Sequence, residues 1–288
     1  MSHDNLNTPI VLFAYNRPQH LELTLTSLAK NSEAKNSRLC ICIDGPKTNE
    51  DYILSKKVIE VCKSFFPSFA DVHLKISERN LGLAQSIVEG IEYAFSFFDR
   101  DSLIIMEDDL EVSEVFLRYM NTALNRYKNN TKIFHINAFS SRTQISEQVY
   151  LTDIMLCWGW ATWRDRWEHF TNDYSTIDKF MDEKKIQQFS YDGQVFNWQQ
   201  YLRNKEKTIS TWAVFWALSI FIRGGTCLQP PESLVHNIGN DGSGVHLSET
   251  ERYSVKPAEK LPLFPQKVSY SEVKSRTLVN YLFPKKAI

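Results

Sequence analysis

Apolar residues fall into short blocks along the chain, and the blocks alternate between two rhythms. Residues 9–15 are a continuous apolar run, which fits a strand buried on both faces, and Asn16-Arg17-Pro18 breaks it. Residues 19–30 then carry Leu21, Leu25 and Leu28 at helical spacing. Residues 38–43 form a second apolar run ending in Asp44-Gly45, and a helical stretch over 52–66 stops before Pro67. Residues 72–76 alternate, predicting a more exposed strand. The loop Glu78-Arg79-Asn80-Leu81-Gly82 leads into a helix over 83–98 with Ile87, Ile91, Tyr93 and Phe95 available for packing. A third apolar run at 103–106 precedes a helix over 115–127, with Phe116, Tyr119, Met120 and Leu124 on one face, and a short strand at 133–137. Strands alternating with helices predict an α/β protein with a mostly parallel central sheet.

Later blocks are less regular. The segment 158–167 reads as a helix with Trp160, Trp163 and Trp167 on one face. It is either an aromatic packing element or, at its Gly159 end, the lining of a sugar pocket. Residues 171–210 are polar with no clear period. Residues 212–222 predict an apolar helix ended by Gly224-Gly225, and a strand region over 227–235 is broken by Pro230-Pro231. Residues 236–246 are a glycine-rich polar loop holding His236, Asn237, Asp241 and His246. Such a loop can wrap a ligand closely or remain a surface feature.

The run at 103–106 drives straight into Glu107-Asp108-Asp109. Three adjacent carboxylates do not suit a core, because each needs a partner or a cation. Carried to the edge of a sheet, they suit a hard divalent cation such as Mn²⁺ or Mg²⁺. An acidic turn or helix start is the plainer reading. In open parallel sheets ligands bind beyond the carboxyl ends of the strands, and Arg17, Asp44, Asn80 and Asp108 all follow such ends. No P-loop and no GxGxxG occurs, so a metal would have to neutralise bound phosphates.

Composition narrows the field. The chain has 288 residues, 43% of them hydrophobic and 23% charged, with a net charge of −1. This is an ordinary globular balance, with no bulk field for nucleic acid. No apolar run approaches the ~20 residues of a membrane span, and the start, Met1-Ser2-His3-Asp4-Asn5, lacks a signal-peptide layout. The five cysteines are odd in number and show no CxxC pair, which points to reduced thiols and a cytoplasmic location. All seven tryptophans lie between Trp158 and Trp216, suggesting a division near residue 150 into 1–150 and a Trp-rich 151–250. A basic stretch follows over 251–288, where positions 256–288 hold seven Lys or Arg against two Glu. It is solvated, or it touches an anionic inner-membrane surface.

The order Asn16-Arg17-Pro18, Asp44-Gly45, Asn80-Leu81-Gly82 and Ile104-Ile105-Met106-Glu107-Asp108-Asp109 resembles the nucleotide-sugar glycosyltransferases of the GT-A fold. The Glu-Asp-Asp stretch, with Phe116 and Gly159-Trp160, is similar to alpha-mannoside beta-1,2-N-acetylglucosaminyltransferases. The segment 237–246 resembles bacterial surface-polysaccharide sugar transferases. The resemblance implies Asp109 and His246 as metal ligands for Mn²⁺ or Mg²⁺. It implies Arg17, Asp44, Asn80, Glu107 and Asp108 on a nucleotide diphosphate sugar, a UDP-sugar first. It makes 1–150 the donor half and 151–250 the half that takes a glycan or lipid-linked glycan, with Trp160 and Trp212 on the acceptor. One departure stands out: the relatives' Asp base after a Trp is here Ala213. Asp241 is then the substitute base, with Asp165 behind it. A sugar nucleotidyltransferase and a catalytically degenerate binding protein are the alternatives.

Overall fold

The computed structural model describes residues 7–140, 146–239 and 253–284. In chain order the elements are β1 (Ile10–Ala14), α1 (Pro18–Ala29), β2 (Arg38–Ile43), α2 (Asn49–Ser64), β3 (Asp71–Ile76), α3 (Leu83–Phe98), β4 (Ser102–Glu107), β5 (Leu110–Val112), α4 (Phe116–Tyr127) and β6 (Ile133–Asn137). They continue as β7 (Tyr150–Thr152), β8 (Trp160–Trp163), α5 (Arg164–Trp167), α6 (Tyr174–Phe180), α7 (Glu183–Phe189), α8 (Asn197–Lys205), α9 (Ala213–Ile222), β9 (Thr226–Gln229), β10 (Val235–Asn237) and α10 (Glu272–Leu282). The main sheet has the order β3-β2-β1-β4-β8-β6-β9-β7. β8 and β7 run against the other strands. The expected α/β architecture with a mainly parallel sheet is therefore present.

Alternation along the buried strands sorts the core into two faces. Ile10, Leu12, Ile41, Ile104 and Met106 pack with Leu21, Leu25, Val58, Phe116, Met120 and Leu278, so α1, α2, α4 and α10 cover one face. Val11, Phe13, Cys40, Cys42, Leu103 and Ile105 pack with Ile87, Ile91, Trp216 and Ile220, so α3 and α9 cover the other. Both thiols of the Cys40–Cys42 pair belong to that second core. A smaller cluster joins Ile177, Phe189 and Tyr201 to Val214 and Leu218. The polar stretch 171–210 thus folds as three short helices, α6 to α8, laid against α9.

Two expectations are corrected. Residues 158–167 are not one helix: Trp160–Trp163 is strand β8, and only Arg164–Trp167 turns helical. Aromatic and threonine side chains suit a strand, and β8 fills the gap between β4 and β6, pairing Ile105 and Asn137 with Trp160. Tertiary pairing overrides the helical spacing of the tryptophans. The described part of the basic stretch packs on the main body in part. Leu151 N–H donates to Ser269 O at 3.0 Å, and Val255, Val268, Leu278, Val279 and Leu282 are buried in the main core.

A buried histidine makes this core sensitive to acid. His135 on β6 is 0% exposed; its Nδ1 accepts from Trp216 Nε1 at 3.1 Å, and its Nε2 lies 3.0 Å from Leu156 O. One ring nitrogen accepts and the other donates, so the ring is neutral. Burial depresses its pKa to about 3. The unfolded chain takes up a proton near pH 6.5 while the native chain does not. The contribution of His135 is therefore complete above pH 6.5 and is lost between pH 6.5 and about 3. Urea titrations across that window should show wild type losing about 1.4 kcal/mol per pH unit more than His135→Gln. Equal slopes would contradict a neutral buried ring.

Candidate active site

The site forms where β2, β1 and β4 end side by side. Glu107, paired in register with Phe13 of β1, is the last residue of β4. Asp108 and Asp109 make the turn to β5, which pairs with β10 and so brings Gly239 over the turn. A Cβ at Gly239 would overlap Oδ2 of Asp109, and Ile238 N–H donates to Asp109 O at 2.9 Å.

Arg17, the residue before α1, lies against the acidic turn. Its Nη2 donates to Asp108 Oδ1 and, at 2.9 Å, to Asp109 Oδ2. Asp108 is almost fully buried, whereas the Asp109 side chain keeps 15% of its surface open. Burial pushes the Glu107 carboxyl well above the usual range, and the charges of Asp109 and Asp108 push it further. Burial also raises Asp108, against the pull of Arg17. The nearby guanidinium of Arg17 is held firmly charged by the two aspartates.

Asp44 and Asn80 tie two neighbouring loops together. Asp44 Oδ1 accepts from Gly45 N–H at 2.9 Å and Leu81 N–H at 2.8 Å, and Oδ2 accepts from Gly82 N–H at 3.0 Å. Asn80 Nδ2 donates to Gly45 O at 2.8 Å. Much of the acceptor capacity of Asp44 therefore goes to tying the loops after β2 and β3 together.

The donor set fits a hard divalent cation. It is all oxygen, and among the described residues Asp108 and Asp109 share one guanidinium, that of Arg17, which leaves an excess of negative charge. Among the described residues no three His, Cys, Asp or Glu converge as a ready cage. Such a cation would rest on Asp109 with phosphate and water oxygens completing its shell. His246 and Asp241 lie outside the described residues.

The remaining expected site residues lie elsewhere. Asp165 is corrected: Arg164 N–H donates to Asp101 O at 2.8 Å, at the entry to β4. The six-residue β4 puts about 17 Å between that entry and Glu107. Asp165 instead pairs with Arg166 at 2.6 Å on the opposite pole of the sheet. Trp160 and Trp212 are corrected as acceptor platforms. They are 1% and 4% exposed, stacked on each other at 5.4 Å, and have no face left for a sugar. Ala213 is partly buried against the same aromatic cluster.

The structure brings up Asn137, Cys157 and Trp158, to which the sequence reading gave no role in the site. Asn137 at the end of β6 bolts down the segment before β8: its Oδ1 accepts from Leu156 N–H at 2.8 Å and its Nδ2 donates to Ile154 O at 2.9 Å. On that segment the Cys157 thiol is raised by burial and then by the charges of Glu107 and Asp109, so it lies within their field. Next to it Trp158 is half-buried, held edge-on by Phe139 at 4.6 Å and Tyr253 at 5.6 Å. Gly159 follows with φ +64°, and a side chain there would press on Val235. A glycine between two tryptophans was the available signal: it marks a turn that separates an open indole from a buried one.

A mainly parallel α/β sheet with carboxylates and an arginine at its carboxyl edge fits the GT-A fold. Residues 10–195, more than half of the chain, match the profile of glycosyl transferase family 2, and the chain belongs to that family. This sets aside the nucleotidyltransferase alternative. Residues 1–349 of S. aureus TarS share the fold with a TM-score of 0.51 at 7% identity, over 82% of this chain and 62% of that one. The chain thus spans less than two thirds of that TarS fragment. The mannosyltransferase PcManGT from Pyrobaculum calidifontis, solved with GDP-Man and Mn²⁺, covers 76% of this chain and 69% of its own at 11% identity and a TM-score of 0.43. No curated protein sequence matches the chain. No helix among the described residues is long and apolar enough to cross a membrane.

Proposed function

We propose that this glycosyltransferase moves a sugar from a nucleoside diphosphate sugar to a glycan or lipid-linked glycan acceptor in bacterial surface-polysaccharide synthesis. The observation that carries the donor side is the convergence of Arg17, Asp108 and Asp109 at the end of β4. A guanidinium that stays charged at any working pH suits a diphosphate, which it can bind by paired N–H donors. Asp109 is the carboxylate with an open face for Mn²⁺ or Mg²⁺, and His246 is its proposed second ligand. Bound there, the cation would supply charge neutralisation for the leaving diphosphate. Asp108 and the Asp44–Asn80 loop bound the ribose and base side. Glu107 faces the sugar, and Asp241 takes the acceptor hydroxyl proton. The acceptor is proposed to approach from the side of β4 away from the nucleotide, and the exposed Lys260 and Lys267 suit an anionic lipid surface.

Calorimetric titration with UDP, GDP and CMP, each with and without Mn²⁺, tests this reading. One nucleotide should bind in the range of about 1 μM to 1 mM usual for enzyme substrates, and only with the metal. Well-folded protein that binds none of the three would overturn the reading.

A further inference from the structure

The helix that presents Arg17 also grips the acidic turn from behind. Thr24 and Ser27 on α1, with Asn31 just past its end, are three and four residues apart and share one face. Each bonds the backbone that follows β4. Thr24 Oγ1 donates to Asp108 O at 2.8 Å and accepts from Leu110 N–H at 3.0 Å. Ser27 Oγ accepts from Val112 N–H at 3.0 Å. Asn31 Nδ2 donates to Ser113 O at 3.0 Å, and its Oδ1 accepts from Leu117 N–H at 2.9 Å. Thr24 and Asn31 are buried, at 0% and 2% exposure.

The two Thr24 bonds fall on either side of Asp109. We infer that Thr24 is a positioning residue that holds Asp109 for its cation through a neutral, buried tether. The inference rests on the reading of Asp109 as the metal ligand. The physical need comes from Arg17. Its guanidinium is shared between Asp108 and Asp109, and a bound diphosphate would compete for the same donors. A turn held by that ion pair alone would loosen as the substrate arrives. The Thr24 tether carries no charge, so the arrival of an anion leaves it in place. Ser27 and Asn31 make bonds of the same kind further along, where no carboxylate of the site is attached.

The test is Mn²⁺ binding to the full chain, followed by loss of the free-ion EPR signal, in the presence of UDP or GDP. Thr24→Val keeps the shape and removes the hydroxyl; it should weaken Mn²⁺ binding by about 10- to 100-fold, as loss of a partner behind a metal ligand does. Thr24→Ser should restore wild-type affinity. Ser27→Ala should lower the melting temperature and leave Mn²⁺ affinity unchanged. If Thr24→Val does not fold, Thr24→Ala is read the same way. Wild-type affinity in the hydroxyl-free variant, or equal weakening by Ser27→Ala, overturns the positioning role. A wild-type protein that binds no Mn²⁺ overturns the metal reading, and the role of Thr24 falls with it.

Discussion

Asp109→Ala should lower sugar transfer by about a thousandfold or more, equivalent to about 4 kcal/mol of lost transition-state stabilisation. It should also abolish metal-dependent nucleotide binding. Among the described residues the Asp109 carboxylate pairs with Arg17 at 2.9 Å, and Arg17 keeps Asp108 when it is removed. The backbone bond from Ile238 N–H to Asp109 O does not involve the side chain. The fold should therefore survive, with a melting temperature close to that of wild type. The loss should be larger than for a surface ion pair because the cation it would hold acts on charge that develops only as the diphosphate leaves. Transfer assays beside thermal melts check this. Full activity in a folded variant would remove Asp109 from the metal site.

Asp241→Asn should lower turnover by about 10²- to 10⁴-fold, the range for loss of a general base, while leaving nucleotide affinity unchanged. Gly239 lies against the Asp109 carboxylate, and Asp241 follows it two positions later in the sequence. The amide of Asn keeps the size of Asp and cannot take the proton. The discriminating measurement is the split between kcat and the nucleotide dissociation constant. An unchanged kcat would pass the base role to another group. Among the described candidates Asp165 is a poor successor, since it lies at the other pole of the sheet and its side chain is 61% exposed beside Arg166.

The difference between Asp109 and Asp165 shows what each level of structure decides. Continuous apolar runs such as 10–14 and 103–106 fit strands buried on both faces inside a mostly parallel sheet. The strands, their order of appearance and the carboxylates at the end of β4 were therefore legible from local pattern. So was the placement of Arg17, Asp44 and Asn80, because the loops that follow parallel strands emerge at one edge. Asp165 offered the same chemistry, but its strand runs antiparallel, and direction is a property of pairing between distant segments.

The tryptophans make the same point. Helical spacing placed Trp160, Trp163 and Trp167 on one face, yet the vacancy between β4 and β6 drew Trp160–Trp163 into a strand. Its neighbours then closed over Trp160 and left Trp158 half-open on the other side of Gly159. Thr24, read locally, is one more residue of an amphipathic helix; only the return of the chain 84 residues later gives its hydroxyl the carbonyl of Asp108. By itself the sequence determined the class of sheet and the run of carboxylates at the end of β4, because burial and turn chemistry act between near neighbours. The tertiary structure alone decided that Asp165 lies away from that edge, which indoles stay open and what holds the acidic turn, because those outcomes depend on contacts between residues far apart in the chain.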